Sequence, residues 1–364
     1  MKITFVVPTL NLTGGIRVVS VYAELLAKKG NTVTVVSPNK KKPTIKARIK
    51  AILSLGGSGA KSGYDASFFN NRSYSVKLLD THRAVESSDV PDADIIIVTF
   101  WNTAEWVSVF PSTKGKKVYF IQHYEVHPWL PIERVKATYK LPYKQIVVSQ
   151  WIADILSDKY GLENISVVGN GVEEQQFFSG NREKNKIFTV GLMYAGQYGF
   201  KDCETIFASI HEARKTIPDL KVVSFSTKEP TEAFPLPESS EFYLRPKQNE
   251  IRTIYDQCDA WLFGSRSEGF GLPILEAMAC GTPVIGTKAG AAPELLKNGE
   301  GVLIDIGDVS AMSEAIIDMA MMSSSDWKEM SDKALLRAKE NPWSIKVNEF
   351  ERELLCVTND RDNS

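Results

Sequence analysis

The sequence predicts an α/β protein made of two doubly wound, Rossmann-like domains followed by a C-terminal helix. Apolar segments of strand length alternate with amphipathic segments of helical length, and this alternation runs through most of the chain. The chain has 364 residues, which exceeds the usual size of one compact domain and fits two. Its hydrophobic fraction of 43% and charged fraction of 24% are ordinary for a soluble globular protein.

The first domain is predicted over residues 1–177. An apolar segment at 3–8 gives the first strand, residues 9–15 a loop, and residues 16–29 a helix that stops at Gly30. The same alternation then predicts a helix at 151–160 and strands at 31–38, 94–98, 117–122, 145–149 and 165–168.

The second domain is predicted over residues 178–340, because the chain turns polar at 179–186 before a new strand–helix series begins. That series predicts strands at 187–191, 221–225, 241–244, 260–263, 283–287 and 301–303. Asn341-Pro342-Trp343 then interrupts the helical pattern, so residues 341–364 are expected to form a last segment with a helix at about 344–355.

Charge and cysteine usage narrow the class of function. A net charge of -1 gives no electrostatic reason to expect a nucleic acid partner. The four cysteines lack the paired spacing of a metal site, which favours a reducing cytosol over a disulfide framework. The first apolar segment is too short for a signal sequence, and nothing approaches the roughly 20 apolar residues of a membrane span. We therefore expect a cytoplasmic protein, soluble or lying on a membrane surface, with no cofactor.

The most informative segment is 264–284. A buried strand at 260–263 leads into a Gly-rich loop and then a helix, with Pro273 in a first-turn position and Gly281 in a C-terminal cap position. The backbone N–H groups of residues 269–272 would then lie at a helix N-terminus, which suits a phosphate.

Two carboxylates, Glu268 and Glu276, flank this loop with seven residues between them. One carboxylate suits the diol of a ribose, and two suggest a sugar as well as a ribose. With the following Ala-Met-Ala-Cys-Gly-Thr-Pro-Val, the segment resembles the signature of family 4 retaining glycosyltransferases with the GT-B fold, bacterial polysaccharide-type sugar transferases among them.

The resemblance implies two Rossmann-like domains facing across a cleft, with the acceptor on the first, the nucleotide sugar on the second, and the C-terminal helix crossing back to the first. It implies that Glu268 faces the donor sugar as a catalytic residue and that Glu276 binds the ribose hydroxyls. The backbone implied to hold the donor sugar and diphosphate belongs to Gly269, Phe270, Gly271 and Leu272.

Two features of the first domain take donor-binding roles from the same resemblance. Gly14 and Gly15 follow the first strand, where a plain tight turn and a loop touching the donor are equally good interpretations from the residues alone. The resemblance favours the donor contact. His123 ends a buried strand, where α/β sheets bind ligands, and the resemblance implies that it hydrogen-bonds the donor sugar as a catalytic residue. Glu125 and His127 alternate with it, but the spacing is not that of a metalloprotease, and we predict no metal site.

The loop at 191–202 departs from the family pattern. The family usually has Gly-Arg here and Lys-Gly a few residues later, and the two cations hold the diphosphate. Lys201 matches the lysine, whereas Leu192 replaces the arginine and Asp202 the glycine. Arg266 and Arg17 are the two candidates for the missing charge.

Three further features were weighed. Arg245 ends the strand 241–244, near where related enzymes hold the nucleobase, although a rim arginine is nearly as good an interpretation. Asp92-Ala93-Asp94 precedes a strand, which is the wrong end of it for ligands, so we interpret it as structural. Residues 40–53 place apolar side chains on one helical face among cations, which suits contact with a membrane surface or packing on its own domain.

The function predicted from the resemblance is metal-independent, retaining transfer of a hexose from a nucleotide diphosphate sugar, with UDP favoured, such as UDP-glucose. The acceptor is a polysaccharide or a lipid-linked oligosaccharide precursor. Two alternatives stay open: a non-catalytic partner subunit that binds a sugar nucleotide, and an epimerase or phosphorylase of the same fold. UDP is favoured only because it is the common carrier among such enzymes, and the residues themselves do not define the donor sugar, its base, the acceptor, the linkage or the oligomeric state.

Overall fold

The structure is a computed structural model that describes residues 1–11, 13–40, 67–197 and 199–359. Its chain forms two units. The first comprises Met1–Val147, Leu156–Ser166 and Val347–Ser364, and the second comprises Val148–Ile155 and Val167–Lys346, in each case as far as these ranges are described. The sequence-based boundary between residues 177 and 178 stays a prediction. Of the surface segment predicted at 40–53, all but residue 40 lies outside the described residues, so its membrane contact also stays a prediction.

The first half of the chain builds one sheet with its helices. Its strands are β1 (Lys2–Val6), β2 (Thr32–Ser37), β3 (Ser75–Leu78), β4 (Ile95–Val98), β5 (Lys116–Ile121), β6 (Lys144–Val147) and β7 (Ser166–Val167). Its helices are α1 (Gly14–Lys28), α2 (Trp101–Val107), α3 (Ile132–Tyr139) and α4 (Gln150–Tyr160), with short 3-10 turns at Ser67–Phe69, Ser87–Asp89 and Ser112–Lys114.

The second half builds another sheet with its helices. Its strands are β8 (Thr189–Met193), β9 (Lys221–Ser226), β10 (Ser240–Leu244), β11 (Ala260–Phe263), β12 (Val284–Thr287) and β13 (Gly301–Ile304). Its helices are α5 (Cys203–Ala213), α6 (Gln248–Asp256), α7 (Leu272–Ala279), α8 (Ala292–Leu295), α9 (Val309–Met321) and α10 (Ser324–Lys339), and α11 (Trp343–Asn359) ends the described chain.

Both sheets are doubly wound. Among the described strands, the first sheet has the order β3-β2-β1-β4-β5-β6-β7 and the second the order β10-β9-β8-β11-β12-β13. The pairs from β3 to β6 and all pairs of the second sheet are parallel. Strand order reverses at β1/β4 and at β8/β11, and sheets of this kind bind ligands outside the carboxyl ends of the strands at such a point. Two Rossmann-like sheets of this order confirm the predicted fold class.

Helix α7 forms as its sequence predicts. Gly271 is the N-cap residue at φ 96°, and a proline occupies the first turn. At the other end Gly281 adopts φ 70°, its N–H donates to the Met278 carbonyl, and the Thr282 N–H donates to the Ala277 carbonyl. These two hydrogen bonds define a Schellman cap, which fixes where the helix ends and turns the chain into β12.

The last helix, α11, packs on the first unit. Phe350 is buried, and its ring stacks on Tyr22 at 4.4 Å and meets Phe120 edge-on at 5.0 Å. Polar contacts lie beside this aromatic cluster, since Asn31 and Lys29 both bind Glu351. The helix that was expected to cross back to the first domain therefore contributes to its core.

The structure corrects the sequence-based prediction in two places. Strand β3 was not predicted, because its alternating Ser-Val-Lys-Leu covers only four residues, all of them exposed, which is too short a pattern to stand out. Gly14 and Gly15 were expected in the loop before the first helix, but Thr13 is the N-cap residue and both glycines lie in the first turn of α1. Among the described helices, none has both the length and the apolar character to cross a membrane.

We predict that Phe350→Ala destabilises the protein by about 3–5 kcal/mol, because it empties the space between Tyr22 and Phe120. Urea denaturation followed by tryptophan fluorescence measures the free energy of unfolding. Leu355→Ala is the matched control, since this leucine is on the same helix and exposed, and it should change the value by less than about 0.5 kcal/mol. Equal effects of the two substitutions would contradict the role of Phe350 in the core.

Candidate functional site

The loops that follow β8 and β11 lie side by side, because these two strands are neighbours where strand order reverses. The described residues 194–197 and 199–202 belong to the loop after β8, and residues 264–271 form the loop after β11. Three links join them. The Arg266 N–H donates to the Phe200 carbonyl at 2.8 Å, and two ion pairs, Lys201–Glu268 and Arg266–Asp202, flank that bond.

The pair of Lys201 and Glu268 brings together two residues that were predicted to bind the donor. The Lys201 Nζ contacts Glu268 Oε1 and also lies over the Phe263 ring, 5.6 Å from its centre. The buried Ser265 hydroxyl donates to the same carboxylate oxygen at 3.1 Å. The lysine predicted to bind phosphate and the glutamate predicted to face the sugar therefore form an ion pair with each other.

In the second pair the cation belongs to the loop after β11 and the carboxylate to the loop after β8, which is the reverse of the first pair. Arg266 Nε lies 2.8 Å from Asp202 Oδ2, and its Nη2 donates to Oδ1 at 3.1 Å. Asp202 is buried at φ 48°, and its carboxylate is also the N-cap of α5, accepting from the Thr205 hydroxyl at 2.7 Å. A glycine would adopt this positive φ at no steric cost, and aspartate is one of the few other residues that tolerates it. The departure from glycine at position 202 thus adds an acid that holds Arg266.

Hydrogen bonds from two other segments of the chain fix the backbone between Glu268 and α7. The Ser149 hydroxyl donates to the Gly269 carbonyl at 2.7 Å, and the Ala291 N–H donates to the Phe270 carbonyl at 2.8 Å. Gly290 packs so closely that an added Cβ would lie 2.7 Å from the Phe270 carbonyl oxygen. With its carbonyls fixed inward, this backbone can direct the amides of Gly271 and Leu272 outward at the positive end of α7.

Glu276 lies in the second turn of α7 and is buried. One of its carboxylate oxygens accepts from the Tyr255 hydroxyl at 3.1 Å, and the Tyr255 ring is fully buried against Trp261. Tyr255 was not singled out in the sequence, because no spacing signal links the helix α6 to Glu276. The ribose contact expected of Glu276 stays a prediction.

Arg245 lies apart from these pairs, at the carboxyl end of β10, which is two strands from β8. It adopts φ 49° and is exposed, and its Nε donates to the Thr227 carbonyl at 2.9 Å. Its contact with a nucleobase stays a prediction.

Leu192 lies in the core of the second unit. It is fully buried in β8, where it pairs with Leu262 of β11 and with Ser224 of β9. A charged side chain at this position would lose its hydration with no opposite charge to compensate for it, which costs free energy. Position 192 therefore contributes packing and no cation.

In the first unit, Gly14 and Gly15 place the N-terminus of α1 beside the end of β5. A Cβ added at Gly15 would meet the Gln122 Oε1 at 3.4 Å, which is ordinary contact, so this glycine is not required by space. The turn before it is set by Asn11, whose Oδ1 accepts from the Thr13 N–H at 2.8 Å. The donor contact expected of the two glycines stays a prediction.

His123 begins the loop after β5. Its Nδ1 lies 3.0 Å from the Tyr124 carbonyl oxygen, which can only accept, so Nδ1 is the donor of this hydrogen bond. Its ring lies 5.1 Å from that of His127. These two histidines are brought together, and the sugar contact expected of His123 stays a prediction.

Glu125, which lies between the two histidines, is turned into the protein. It is buried, its Oε2 accepts from the Trp101 N–H at 2.9 Å, and its own N–H donates to the Tyr139 hydroxyl at 2.8 Å. Burial raises the pKa of its carboxyl well above the ordinary value, although the hydrogen bond from Trp101 opposes this. Within the described residues no three His, Cys, Asp or Glu side chains are grouped as metal ligands.

Two doubly wound parallel sheets that follow each other along the chain are the architecture of the GT-B fold. The family model for glycosyltransferase family 4 matches residues 13–176, and that for group 1 glycosyl transferases matches residues 171–334. The chain belongs to the family 4 glycosyltransferases with the GT-B fold, and bacterial polysaccharide-type enzymes are among its homologues.

Two curated relatives and one solved structure illustrate the similarity. The N-acetyl-alpha-D-glucosaminyl L-malate synthase of Bacillus anthracis is 39% identical over 74 residues, 20% of this chain and 19% of that protein. The O-antigen chain mannosyltransferase RfbU of Salmonella typhimurium is 25% identical over 42% of this chain and 44% of that protein. The match thus spans less than half of either relative. Anabaena Alr3699/HepE in complex with UDP superimposes with a TM-score of 0.73 at 16% identity, covering 98% of this chain and 100% of that one, and this likeness shows the fold alone.

We predict that Glu125→Gln makes the protein progressively more stable than the wild type as the pH rises. Above the ordinary glutamate pKa of about 4.3, the folded wild type holds a proton that the unfolded chain releases, so its free energy of unfolding falls with pH until the raised pKa is passed. The amide has no proton to lose, and the difference should grow by up to ~1.4 kcal/mol per pH unit.

Urea denaturation between about pH 5 and pH 8 measures this difference. Glu133→Gln is the control, because this glutamate is exposed on α3 and pairs with Lys136. A stability difference between Glu125→Gln and wild type that stays constant with pH would mean that the Glu125 carboxyl is ionised in the folded protein.

Proposed function

We propose that this protein is a retaining glycosyltransferase that moves a hexose from a nucleotide diphosphate sugar to a polysaccharide or a lipid-linked precursor. The observation that carries the proposal is the meeting of Lys201 and Glu268 at the strand-order reversal, beside the N-terminus of α7. A cation, helix-end amides and a carboxylate within one pair of loops suit a diphosphate and a sugar hydroxyl group.

The donor is assigned with support from the similar proteins. UDP is favoured as the carrier, since the Anabaena protein of the same fold binds UDP. A hexose and a polysaccharide acceptor are favoured because RfbU is an O-antigen chain mannosyltransferase. A mannosyltransferase relative and a UDP-bound neighbour do not by themselves identify one nucleobase for the donor, so a titration with several nucleotides is needed to identify it.

In the proposed reaction the bond between the sugar anomeric carbon and the diphosphate oxygen breaks, and a bond from that carbon to the acceptor oxygen forms on the same face. The acceptor hydroxyl proton passes to the leaving diphosphate, so no enzyme nucleophile is invoked. Lys201 and the α7 amides stabilise the charge that develops on the diphosphate, and Glu268 orients the sugar. For this, Lys201 exchanges Glu268 for phosphate when the donor binds, which frees the carboxylate for the sugar.

Arg266 is the second cation of the proposed diphosphate site. Position 192 is core, and Arg17 lies in α1 of the first unit, whereas Arg266 is two residues from Glu268 and more than half exposed. Its pair with Asp202 uses Nε and Nη2, which leaves the Nη1 donors for an anion. Because Asp202 holds the guanidinium in place, little side-chain entropy is lost when phosphate binds.

The first test is a thermal-shift titration with UDP, GDP, ADP and dTDP, with and without a chelator. A ligand at ~100 times its dissociation constant adds about 2.7 kcal/mol of stability, which gives a clear shift. We expect one base to be selected and the chelator to have no effect. No shift with any of the four would contradict the proposal.

With the selected nucleotide, we predict that Lys201→Ala weakens binding by about 10- to 100-fold, the worth of a charge-assisted hydrogen bond. Glu268→Gln should bind the nucleotide equally or more tightly, because it removes the anion that competes for Lys201, yet it should slow transfer by about 100-fold or more. Calorimetry gives affinity, and nucleotide release from the matching sugar nucleotide gives turnover.

Glu329→Gln, an exposed carboxylate of α10, is the control and should change neither property. Wild-type nucleotide binding with no turnover under any acceptor would favour the non-catalytic partner subunit. Weaker nucleotide binding by Glu268→Gln would contradict the exchange of partners at Lys201.

A separate comparison tests Arg266. Arg266→Ala should weaken the nucleoside diphosphate by about 10-fold or more and leave the corresponding nucleoside unchanged, because only the phosphates lose a partner. Asp202→Asn keeps the N-cap and the positive φ while removing an anion, so diphosphate affinity should hold or rise. If both variants weaken the diphosphate equally, Arg266 acts by holding Asp202 and is not a phosphate ligand.

A further inference from the structure

We propose that Trp129 is the stacking platform for a pyranose ring of the acceptor, in a subsite formed by the loop 122–131 of the first unit. The inference rests on the proposed function, which requires a sugar acceptor, and it assigns where that sugar binds. Three observations support it: the conformation of this loop, the exposure of the Trp129 ring, and the ring contacts that link Trp129 through His127 to His123.

The loop presents Trp129 at the tip of a tight turn. The Leu130 N–H donates to the His127 carbonyl at 3.0 Å, which closes a four-residue turn with Pro128 in its second position. Proline is favoured there because its fixed φ matches the turn. Trp129 occupies the third position, and its ring stacks on His127, the first residue of the turn.

The base of the loop is anchored in the core. Glu125 is buried and bonded to the backbone of Trp101, and its N–H bonds to Tyr139, which is itself fully buried. His127 lies two residues after Glu125, and its N–H donates to the Glu125 carbonyl at 3.0 Å. The turn therefore stands on fixed residues, as a binding surface needs if little entropy is to be lost on binding.

The indole is held flat against an imidazole. The rings of His127 and Trp129 lie 4.8 Å apart with an angle of 15° between their planes. Burial, and then the neighbouring His123, lower the pKa of His127, so at neutral pH this imidazole is uncharged. An uncharged imidazole behind the indole sets the orientation of the indole without drawing it toward a charge.

Trp129 remains 66% exposed, a high value for a tryptophan. Among the described residues, it is the only large apolar side chain of the loop 122–131 that is exposed to this degree. One exposed indole face suits a small ligand, whereas contact with a lipid surface or a protein partner is typical of larger contiguous apolar patches. One aromatic face does match one pyranose, whose axial C–H groups carry partial positive charge toward the negative face of the ring.

The position of the platform fits an acceptor. The His127 ring contacts both His123, at 5.1 Å, and Trp129, at 4.8 Å. The sequence predicts that His123 contacts the donor sugar, so a pyranose on Trp129 would be linked to that contact through a single intervening ring. That is where an acceptor hydroxyl must come from if it is to reach the donor sugar.

Saturation-transfer NMR tests the inference, with methyl α-D-mannopyranoside, methyl α-D-glucopyranoside and octyl α-D-mannopyranoside as probes. We expect saturation of ring C–H protons by the wild type, a loss of about fivefold in Trp129→Ala, and retention of most of the signal in Trp129→Phe. Val109→Ala removes another exposed apolar side chain of the first unit and should leave the signal unchanged. Equal melting temperatures would show that the variants are folded.

Three results would overturn the inference. These are no ring saturation with any probe, the same ring saturation in Trp129→Ala as in the wild type, or a Trp129-dependent signal confined to the octyl chain, which would assign the ring to lipid. Nucleotide binding is measured separately by thermal shift and should be unchanged in Trp129→Ala. A protein that binds glycosides through Trp129 but no nucleotide would refute the proposed function and leave the sugar platform standing.

Discussion

Where β8 and β11 lie side by side, the chain leaves the two strands toward opposite faces of the sheet. The helix after β8, α5, packs on α9, whereas the helix after β11, α7, packs on α6 and α10. The two loops at their ends are thus neighbours in space, although Lys201 and Glu268 are 67 residues apart in sequence. The polar contacts of the site depend on this arrangement, because a parallel sheet without the reversal would send successive helices over one face and leave no opening at the strand ends.

The loops are held together by charge. Lys201 and Arg266 each face a carboxylate, so the two loops carry cations without a large excess of positive potential. If a diphosphate binds at such a site, phosphate replaces a carboxylate as the partner of the cation. The free energy of binding is then the difference between the cation–phosphate and the cation–carboxylate interactions, which is smaller than the full attraction between cation and phosphate. A site of this kind favours ligands that offer both a phosphate for the lysine and a hydroxyl group for the released glutamate.

Much of this architecture could be predicted from the sequence. The strands are apolar runs, and α7 is bounded by Pro273 and Gly281, whose backbone preferences are local. The pairing of Arg266 with Asp202 could not be predicted, because it depends on two loops meeting across the sheet. The substitution at 202 was therefore interpreted only as a lost glycine. The exposed edge strand β3 also depends on contacts between distant residues. Its four residues are too short a pattern to indicate a strand, and they form one because they pair with β2.

The aromatic contact between α11 and the first unit bears on how the protein is made. Tyr22 and Phe120 emerge from the ribosome early, but Phe350, which covers them, is translated after the whole second sheet. Chains generally begin to fold from the N-terminus during synthesis. The domain that is synthesised first is thus the last to be completed, and until then an aromatic surface on it has no cover. Truncation before α11 would leave that surface open to chaperones and proteases, so the stability of the first unit depends on a segment that is translated late.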